Sequence, residues 1–258
     1  MSTTIESLPL AHAAIPTELQ AQWRELQASL ALIAERHPDA VFATSLAPSD
    51  MVLTYVIAQS ALPIQVFTLD TGRLHKETLA LLDETRRRLN IHITVCRPEA
   101  HAVQEFTATH GLFPFYESVA LRKACCNLRK VDPLKAMLKG RSAWLTGQTR
   151  DQSITRTQLP EQEHDTTFGL EKYNPVAAWS DDAIWTVIRA LNIPYNALHD
   201  QGYPSIGCEP CTRAIKPGED VRAGRWWWEN SDSKECGLHE HNLNYVATST
   251  SISTKEVL

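Results

Sequence analysis

Apolar residues recur at helical spacing along the first stretch of the chain: Leu19, Trp23, Leu26, Leu30 and Ile33 fall on one stripe. That periodicity predicts an amphipathic helix over 17–37. The pattern then changes character. DAVFATSL, 39–46, is a short apolar run that predicts a buried strand, and after Pro48 and Ser49 the segment MVLTYVIAQSAL returns to a helical pattern. PIQVFTLD, 63–70, predicts a second strand that ends in an acid, the stretch from Leu74 to Asn90 repeats leucine at helical spacing, and IHITVCRP, 91–98, predicts a third strand. SVALRKACCNLRKVDPLKAMLKG, 118–140, reads as mostly helical with a kink or break at Pro133. SAWLTGQTRDQS holds a fourth strand, YNPVAAWS a fifth short extended segment, and DDAIWTVIRALN a helix with Ser180 as its N-cap.

Strands alternating with helices at this spacing predict an α/β fold, a parallel sheet flanked by helices on both faces. From Pro194 onward the pattern gives way to HDQGYPSIGCEPCTRAIKPGED, rich in Gly, Pro and Cys, which predicts an appendage folding back over the sheet. The expected organisation is an N-terminal helical segment (1–38), an α/β nucleotide-binding domain (39–200), a Cys-bearing C-terminal segment (201–246) and a loosely ordered tail (247–258).

Composition narrows the field. The chain has 258 residues, 43% hydrophobic and 21% charged, which is ordinary for a globular protein. A net charge of −5 argues against a general nucleic-acid binder. The opening MSTTIESLPLAHAAIP lacks the basic n-region and sustained apolar core of a signal peptide, and no run approaches the ~18 apolar residues of a membrane helix. The expected compartment is the cytoplasm, with no membrane association. There, six cysteines point to metal ligands or reactive thiols instead of structural disulfides.

Sheets of this type bind ligands beyond the carboxyl ends of their strands. Strand one runs into Ser45, Leu46, Ala47, Pro48, Ser49 and Asp50, and strand two into Asp70, Thr71, Gly72 and Arg73. Both also read as ordinary strand–helix turns. Neither G-x-G-x-x-G nor G-x-x-x-x-G-K-[ST] occurs, so the standard dinucleotide and NTPase fingerprints are absent.

The adjacent pair Cys125–Cys126 and the C-x-x-C of Cys208 and Cys211 supply four thiols from two distant segments. Four thiolates suit a tetrahedral zinc or an iron–sulfur cluster. Adjacent cysteines converge on one ion with difficulty, whereas neighbours diverging by ~100° on a helix reach separate corners of a four-iron cube, so the doublet favours a 4Fe-4S cluster. A competing zinc set is Cys208, Cys211, Cys236 and His239, and it leaves the doublet unexplained. Cys96, inside an apolar strand, reads as a buried structural thiol. Cys236 stands alone beside Lys234, His239 and His241, surroundings that lower a thiol pKa and make it a candidate nucleophile, with a plain surface thiol as the alternative. Arg129, Lys130, Arg222 and Arg225 cluster in sequence around the cysteine segments, and Arg150 and Arg156 follow the fourth strand. Arginine is suited to two-pronged capture of phosphate or sulfate, so these residues point to a small anionic nucleotide.

Taken together, CysCys (125–126), Cys208-x-x-Cys211, Arg222-x-x-ArgTrp (225–226) and GluCysGlyLeuHis (235–239) resemble the assimilatory sulfonucleotide reductases of the iron–sulfur type; LeuAspThrGly (69–72) and GlyGlnThrArgAspGlnSer (147–153) fit as well. The resemblance spans roughly Ala40 to His239 and implies an adenine-nucleotide α-hydrolase-like fold. It implies that Cys125, Cys126, Cys208 and Cys211 ligate a 4Fe-4S cluster, that Lys130, Arg222 and Arg225 hold the phosphosulfate, that Ser45, Leu46, Asp70 and Gly72 lie at the adenosine, and that Cys236 is the catalytic cysteine. Arg150 and His239 are further substrate-binding candidates. The implied reaction is thioredoxin- or glutaredoxin-dependent reduction of adenosine 5′-phosphosulfate (APS) to sulfite and AMP in sulfate assimilation, by an enzyme that leaves room for homo-oligomerisation. The alternatives are the 3′-phosphorylated substrate PAPS or dual specificity, an ATP-consuming PP-loop-like adenylating enzyme, and a non-enzymatic redox sensor. SerLeuAlaProSerAsp (45–50) replaces the glycine-rich loop of related pyrophosphatases, which argues against ATP hydrolysis there.

Overall fold

The computed structural model describes residues 14–152 and 158–229. Six strands form one sheet: β1 (Val41–Ala43), β2 (Gln65–Leu69), β3 (Ile93–Cys96), β4 (Ala143–Leu145), β5 (Gln162–Asp165) and β6 (Leu170–Tyr173), in the order β3-β2-β1-β4-β6-β5. Every pairing is parallel except β5 with β6. Seven helices accompany them among the described residues: α1 (Thr17–Arg36), α2 (Pro48–Gln59), α3 (Lys76–Leu89), α4 (Ala100–His110), α5 (Val119–Cys126), α6 (Asp132–Leu138) and α7 (Asp181–Ala190).

The period-two pattern of the strands sorts two cores. Phe42, Val66, Ala143 and Leu145 face one side and pack with Trp23, Leu30, Leu53, Val56 and Val187 of α1, α2 and α7. Val41, Phe67 and Trp144 face the other side and pack with Leu134 and Leu138 of α6. Central strands buried on both faces read as continuous apolar runs, which is why these short segments are recognisable in sequence. The strand order reverses at β1, so the carboxyl ends of β1, β2 and β4 diverge and leave a crevice.

Two local expectations are corrected, and one strand appears where none was expected. Pro133 does not break the helix that carries the cysteine doublet. The path widens into a π turn at Asn127–Val131 and resumes as α6, with the proline in its first turn, where a missing N–H is tolerated. The extended segment expected over YNPVAAWS lies earlier, as β6 (Leu170–Tyr173), which ends where YNPVAAWS begins. The edge strand Gln162–Asp165 goes unrecognised because QEHD has no apolar face to alternate. Ser180 caps α7 as expected, its hydroxyl accepting from the Ala183 N–H at 3.2 Å. Among the described residues, no helix is long and apolar enough to cross a membrane.

Candidate active site

A cavity of about 280 Å³ opens at the carboxyl ends of β1, β2 and β4. Ser45 and Leu46 of the loop after β1 line it, as do Thr71 after β2, Gly147 and Gln148 after β4, and His199. The loop after β1 is built around a buried acid. Asp50 accepts from both the backbone N–H and the hydroxyl of Ser45 at 2.6 Å. Burial pushes its carboxyl up, and the Ser45 donors pull it back. Leu46 takes a left-handed backbone at φ 62°, a conformation that a branched side chain adopts at a cost in strain. Asp50 thus places a carboxylate inside the loop where a glycine-rich phosphate loop would present backbone to a polyphosphate, in line with the sequence argument against ATP hydrolysis.

Gly147 seals that arrangement. A Cβ here would lie 2.1 Å from Asp50 Oδ1 and 2.9 Å from Asp50 N, and the Ser49 hydroxyl donates to the Gly147 carbonyl at 2.6 Å. Gly147→Ala is therefore expected to destabilise the protein by ~1–3 kcal/mol through overpacking. The midpoint of chemical denaturation measures this, and an unchanged midpoint would show that the loop yields freely.

The turn after β2 divides its residues. Thr71 borders the cavity, whereas Asp70 and Gly72 do not. Asp70 is tied to Arg97 at 3.0 Å and accepts from the Gly72 N–H at 2.9 Å; Gly72 is left-handed at φ 69°. Arg150 is also off the cavity, its Nε donating to the Leu159 carbonyl at 3.0 Å. Cys236, His239, His241 and Arg156 lie outside the described residues.

Beside the cavity is a second hollow, bordered by Cys125, Cys126, Cys208 and Cys211 together with Arg73, Arg122, Arg129 and Lys130. The doublet ends α5, and the C-x-x-C is carried in by the C-terminal segment. That segment docks on the β2 turn: Leu74 pairs with Cys208, the Glu209 N–H donates to the Arg73 carbonyl at 2.8 Å, and Thr71 Oγ1 lies 3.3 Å from Cys208 Sγ. Tyr116 donates to the Pro210 carbonyl at 2.6 Å. Arg129 donates to the Thr71 carbonyl at 2.8 Å and so holds the π turn to the same β2 turn.

The chemistry of this donor set fits a thiolate-bound cluster. Burial first, then the neighbouring Cys208 thiol, pushes Cys211 up to about 12, and burial likewise raises Cys125. Cys125 and Cys211 thus keep their protons in the absence of a metal to take them, and Arg73, Arg122, Arg129 and Lys130 border the four cysteines with positive charge. Among the described residues no three His, Cys, Asp or Glu side chains converge on a single ion.

Lys130 borders both hollows. Arg222 and Arg225 line the cavity with it. Arg225 is held in place by Trp226, whose ring lies 4.7 Å from its guanidinium, and by Ser205 and the Ile206 carbonyl, each at 3.3 Å. Gly207 permits this approach, since a Cβ there would meet Arg225 Nη2 at 2.4 Å. Arg122 lies 4.6 Å from the same Trp226 ring and donates to Glu229 through Nε at 2.9 Å and Nη2 at 2.8 Å. Sequence reasoning passes over Arg122 and Glu229, because their pairing across 107 positions leaves no local motif. It also passes over His199, which only the fold carries to the cavity, and it quotes the 147–153 motif without giving Gln148 a role. Burial holds His199 below the ordinary histidine range, so its ring is neutral at pH 7.

Residues 39–214 match the family described as the phosphoadenosine phosphosulfate reductase domain. The chain belongs to this family. The adenosine 5′-phosphosulfate reductase of Burkholderia cepacia is 54% identical over 226 residues, covering 88% of this chain and 90% of that protein. The protein of the same name from Allochromatium vinosum is 50% identical over 242 residues, covering 94% and 90%. Among solved structures, phosphoadenylyl-sulfate (PAPS) reductase from Candida auris is similar with a TM-score of 0.64 at 24% identity, covering 81% of this chain and 98% of that one. NMN synthetase from Francisella tularensis reaches a TM-score of 0.53 at 12% identity, covering 93% and 97%. At these identities the structures show the shared fold alone, a mostly parallel sheet flanked by helices. The matched span of the reductase family includes the doublet, Lys130 and the C-x-x-C and ends before Arg222.

Proposed function

We propose that this protein reduces adenosine 5′-phosphosulfate to sulfite and AMP, taking its electrons from a thioredoxin-type dithiol. Family membership and the two relatives named for that reaction make it an oxidoreductase acting on sulfonucleotides. The observation that carries the specific reading is the position of Lys130, which borders both the nucleotide cavity and the four-cysteine hollow. A cation there, with Arg222 and Arg225 lining the same cavity, offsets charge on a phosphosulfate.

In the proposed reaction the Cys236 thiolate attacks the sulfate sulfur, the sulfur–oxygen bond to AMP breaks, and AMP departs with the bonding pair. The enzyme is left with S-sulfocysteine. A partner thiolate attacks the Cys236 sulfur and expels sulfite, forming a mixed disulfide. The partner's second thiolate then attacks its own half of that disulfide and releases Cys236 as thiolate. The dithiol loses two electrons and the sulfur passes from the sulfate to the sulfite level. Arg222, Arg225 and Lys130 hold the oxygens on which charge builds, and neutral surroundings at Gln148 and His199 suit the nucleoside.

Cys125, Cys126, Cys208 and Cys211 would hold a 4Fe-4S cluster, with the 201–246 segment carrying both the C-x-x-C and Cys236. When bound, the cluster supplies fixed charge beside Lys130 and ties the C-terminal segment to α5. The thiols carry both electrons, so the reading needs no electron transfer through it.

The deciding experiment measures sulfite released from APS and from PAPS with thioredoxin present, alongside iron and acid-labile sulfide per chain. Expected are dithiol-dependent sulfite from APS and about four irons per chain, the stoichiometry of such a cluster. ATP consumption without sulfite would overturn the reading, and faster turnover of PAPS would reassign the substrate.

A further inference from the structure

Arg122 is fully buried, and its guanidinium is fixed by two parallel hydrogen bonds: Nε donates to one Glu229 carboxylate oxygen at 2.9 Å and Nη2 to the other at 2.8 Å. The Glu229 side chain is itself only 4% exposed. Such a pair adds little net stability, because desolvating both charges consumes most of what their attraction returns. What it fixes is geometry, since a planar fork on a carboxylate admits one arrangement. The reaction as proposed gives neither residue a part.

The residue held by this pair is Trp226. The Arg122 guanidinium lies 4.6 Å from the Trp226 ring, and the Glu229 N–H donates to the Trp226 carbonyl at 2.9 Å. One partner thus meets the ring and the other the backbone. Trp226 needs such a hold. Its backbone is left-handed at φ 40°, a region that a bulky residue enters only under strain, and strain persists only where the surroundings overdetermine it. Further contacts complete the enclosure. The Trp226 N–H donates to the Cys211 carbonyl at 3.1 Å, its ring packs in one cluster with Phe115, Cys125 and Cys211, and Trp228 Nε1 donates to the Phe115 carbonyl at 3.1 Å. The same ring carries a second guanidinium, that of Arg225, at 4.7 Å. Arg225 lines the nucleotide cavity, whereas Arg122 borders the cysteine hollow instead. Rotating Trp226 out of its left-handed backbone would move the ring against which Arg225 rests, and Arg225 with it, since the two residues share a peptide bond. The placing of a cavity cation therefore depends on an ion pair that does not line the cavity.

We propose that Arg122 and Glu229 are positioning residues: their ion pair locks Trp226 in its left-handed backbone and, through it, aims Arg225 at the substrate anion. The proposal rests on the reading of the cavity as the sulfonucleotide site with Arg225 on the phosphosulfate. It is separable from that reading, because binding is compared with and without the pair and no turnover is required.

The test is calorimetric binding of APS and of adenosine, which lacks the anion, to the holoenzyme carrying Cys236→Ser, so that nothing turns over. In that background Glu229→Gln leaves the Arg122 charge buried without its counter-ion. It should weaken APS by about tenfold or more, with adenosine changed by less than about twofold and about four irons per chain retained. A merely structural role would lower both ligands together. Coupling gives the second readout. Arg225→Gln should itself weaken APS, and adding Glu229→Gln to it should cost less than about twofold more, because the pair acts through the side chain already removed. Arg122→Lys keeps the charge but loses the fork; it runs through the same cycle and covers the case in which Glu229→Gln fails to fold. Equal losses for APS and adenosine, loss of iron, or losses that multiply in full with Arg225→Gln overturn the proposal. Failure of APS to bind with Arg122, Arg225 and Glu229 all intact would remove the sulfonucleotide reading of the cavity, and the inference with it.

Discussion

Cys236→Ser is expected to lower sulfite release by at least about 10³-fold, because removing a catalytic nucleophile leaves only binding and electrostatic contributions to the rate. A serine hydroxyl is not ionised at neutral pH and no adjacent base is proposed to activate it. The variant should still bind APS and retain its iron, since none of the four cysteines bordering the hollow changes. A single-turnover experiment sharpens the test: mixed with APS in the absence of thioredoxin, the unsubstituted enzyme should gain the mass of one sulfonate and release AMP, and the variant should do neither. Retained turnover would remove Cys236 from the mechanism. Chain length permits the assignment. Cys236 lies seven positions beyond Glu229, which Arg122 anchors in a buried ion pair beside Trp226. Seven residues reach at most ~25 Å, enough to carry a thiol from that anchor to the cavity edge.

Lys130→Ala is the second large effect. Removing one preorganised cation from a developing oxyanion costs about 10²–10³ in rate where it acts on the reaction centre. A fall in kcat/KM of about 10²-fold for APS is expected, with Arg222 and Arg225 retaining part of the binding. Iron content and visible absorption should persist, because Lys130 borders the cysteines without being one of them. Steady-state kinetics beside an iron assay on the same preparation checks both halves. Unchanged kcat/KM would remove Lys130 from the substrate site, and loss of iron with loss of activity would give it a structural role at the hollow. Lys130 reaches both hollows from the π turn, whose widened spiral directly follows the doublet.

The strand–helix alternation, the N-terminal helix and the Ser180 cap were all legible in sequence. Each rests on local periodicity or on a single capping side chain, and α1 and α7 follow the expected segments closely. The edge strand Gln162–Asp165 was not legible, because its pairing with β6 gives it no apolar period. Pro133 favours the end of a helix locally, yet the helix does not break there, because the π turn and the packing of Leu134 and Leu138 against the sheet carry it through. Among site residues, Ser45, Leu46, Lys130, Arg222 and Arg225 fall on the cavity, and Asp70, Gly72 and Arg150 do not. Nothing local distinguishes them. Asp70 is the acid at a strand end that the motif picks out, yet its carboxylate is held by Arg97 and by the backbone of its own turn.

The sequence by itself determined the α/β class, the two cysteine pairs and the basic residues beside them, since these depend on residue type and spacing along the chain. Only the tertiary structure decided that the doublet and the C-x-x-C border one hollow, that Lys130 stands between that hollow and the cavity, and that Arg122 and Glu229 close a buried ion pair. Those facts join residues far apart in the chain; Cys125 and Cys211, for example, are separated by 86 positions. Such distances are closed by burial of the sheet's two faces and by docking of the C-terminal segment on the β2 turn, and short-range periodicity carries no record of either.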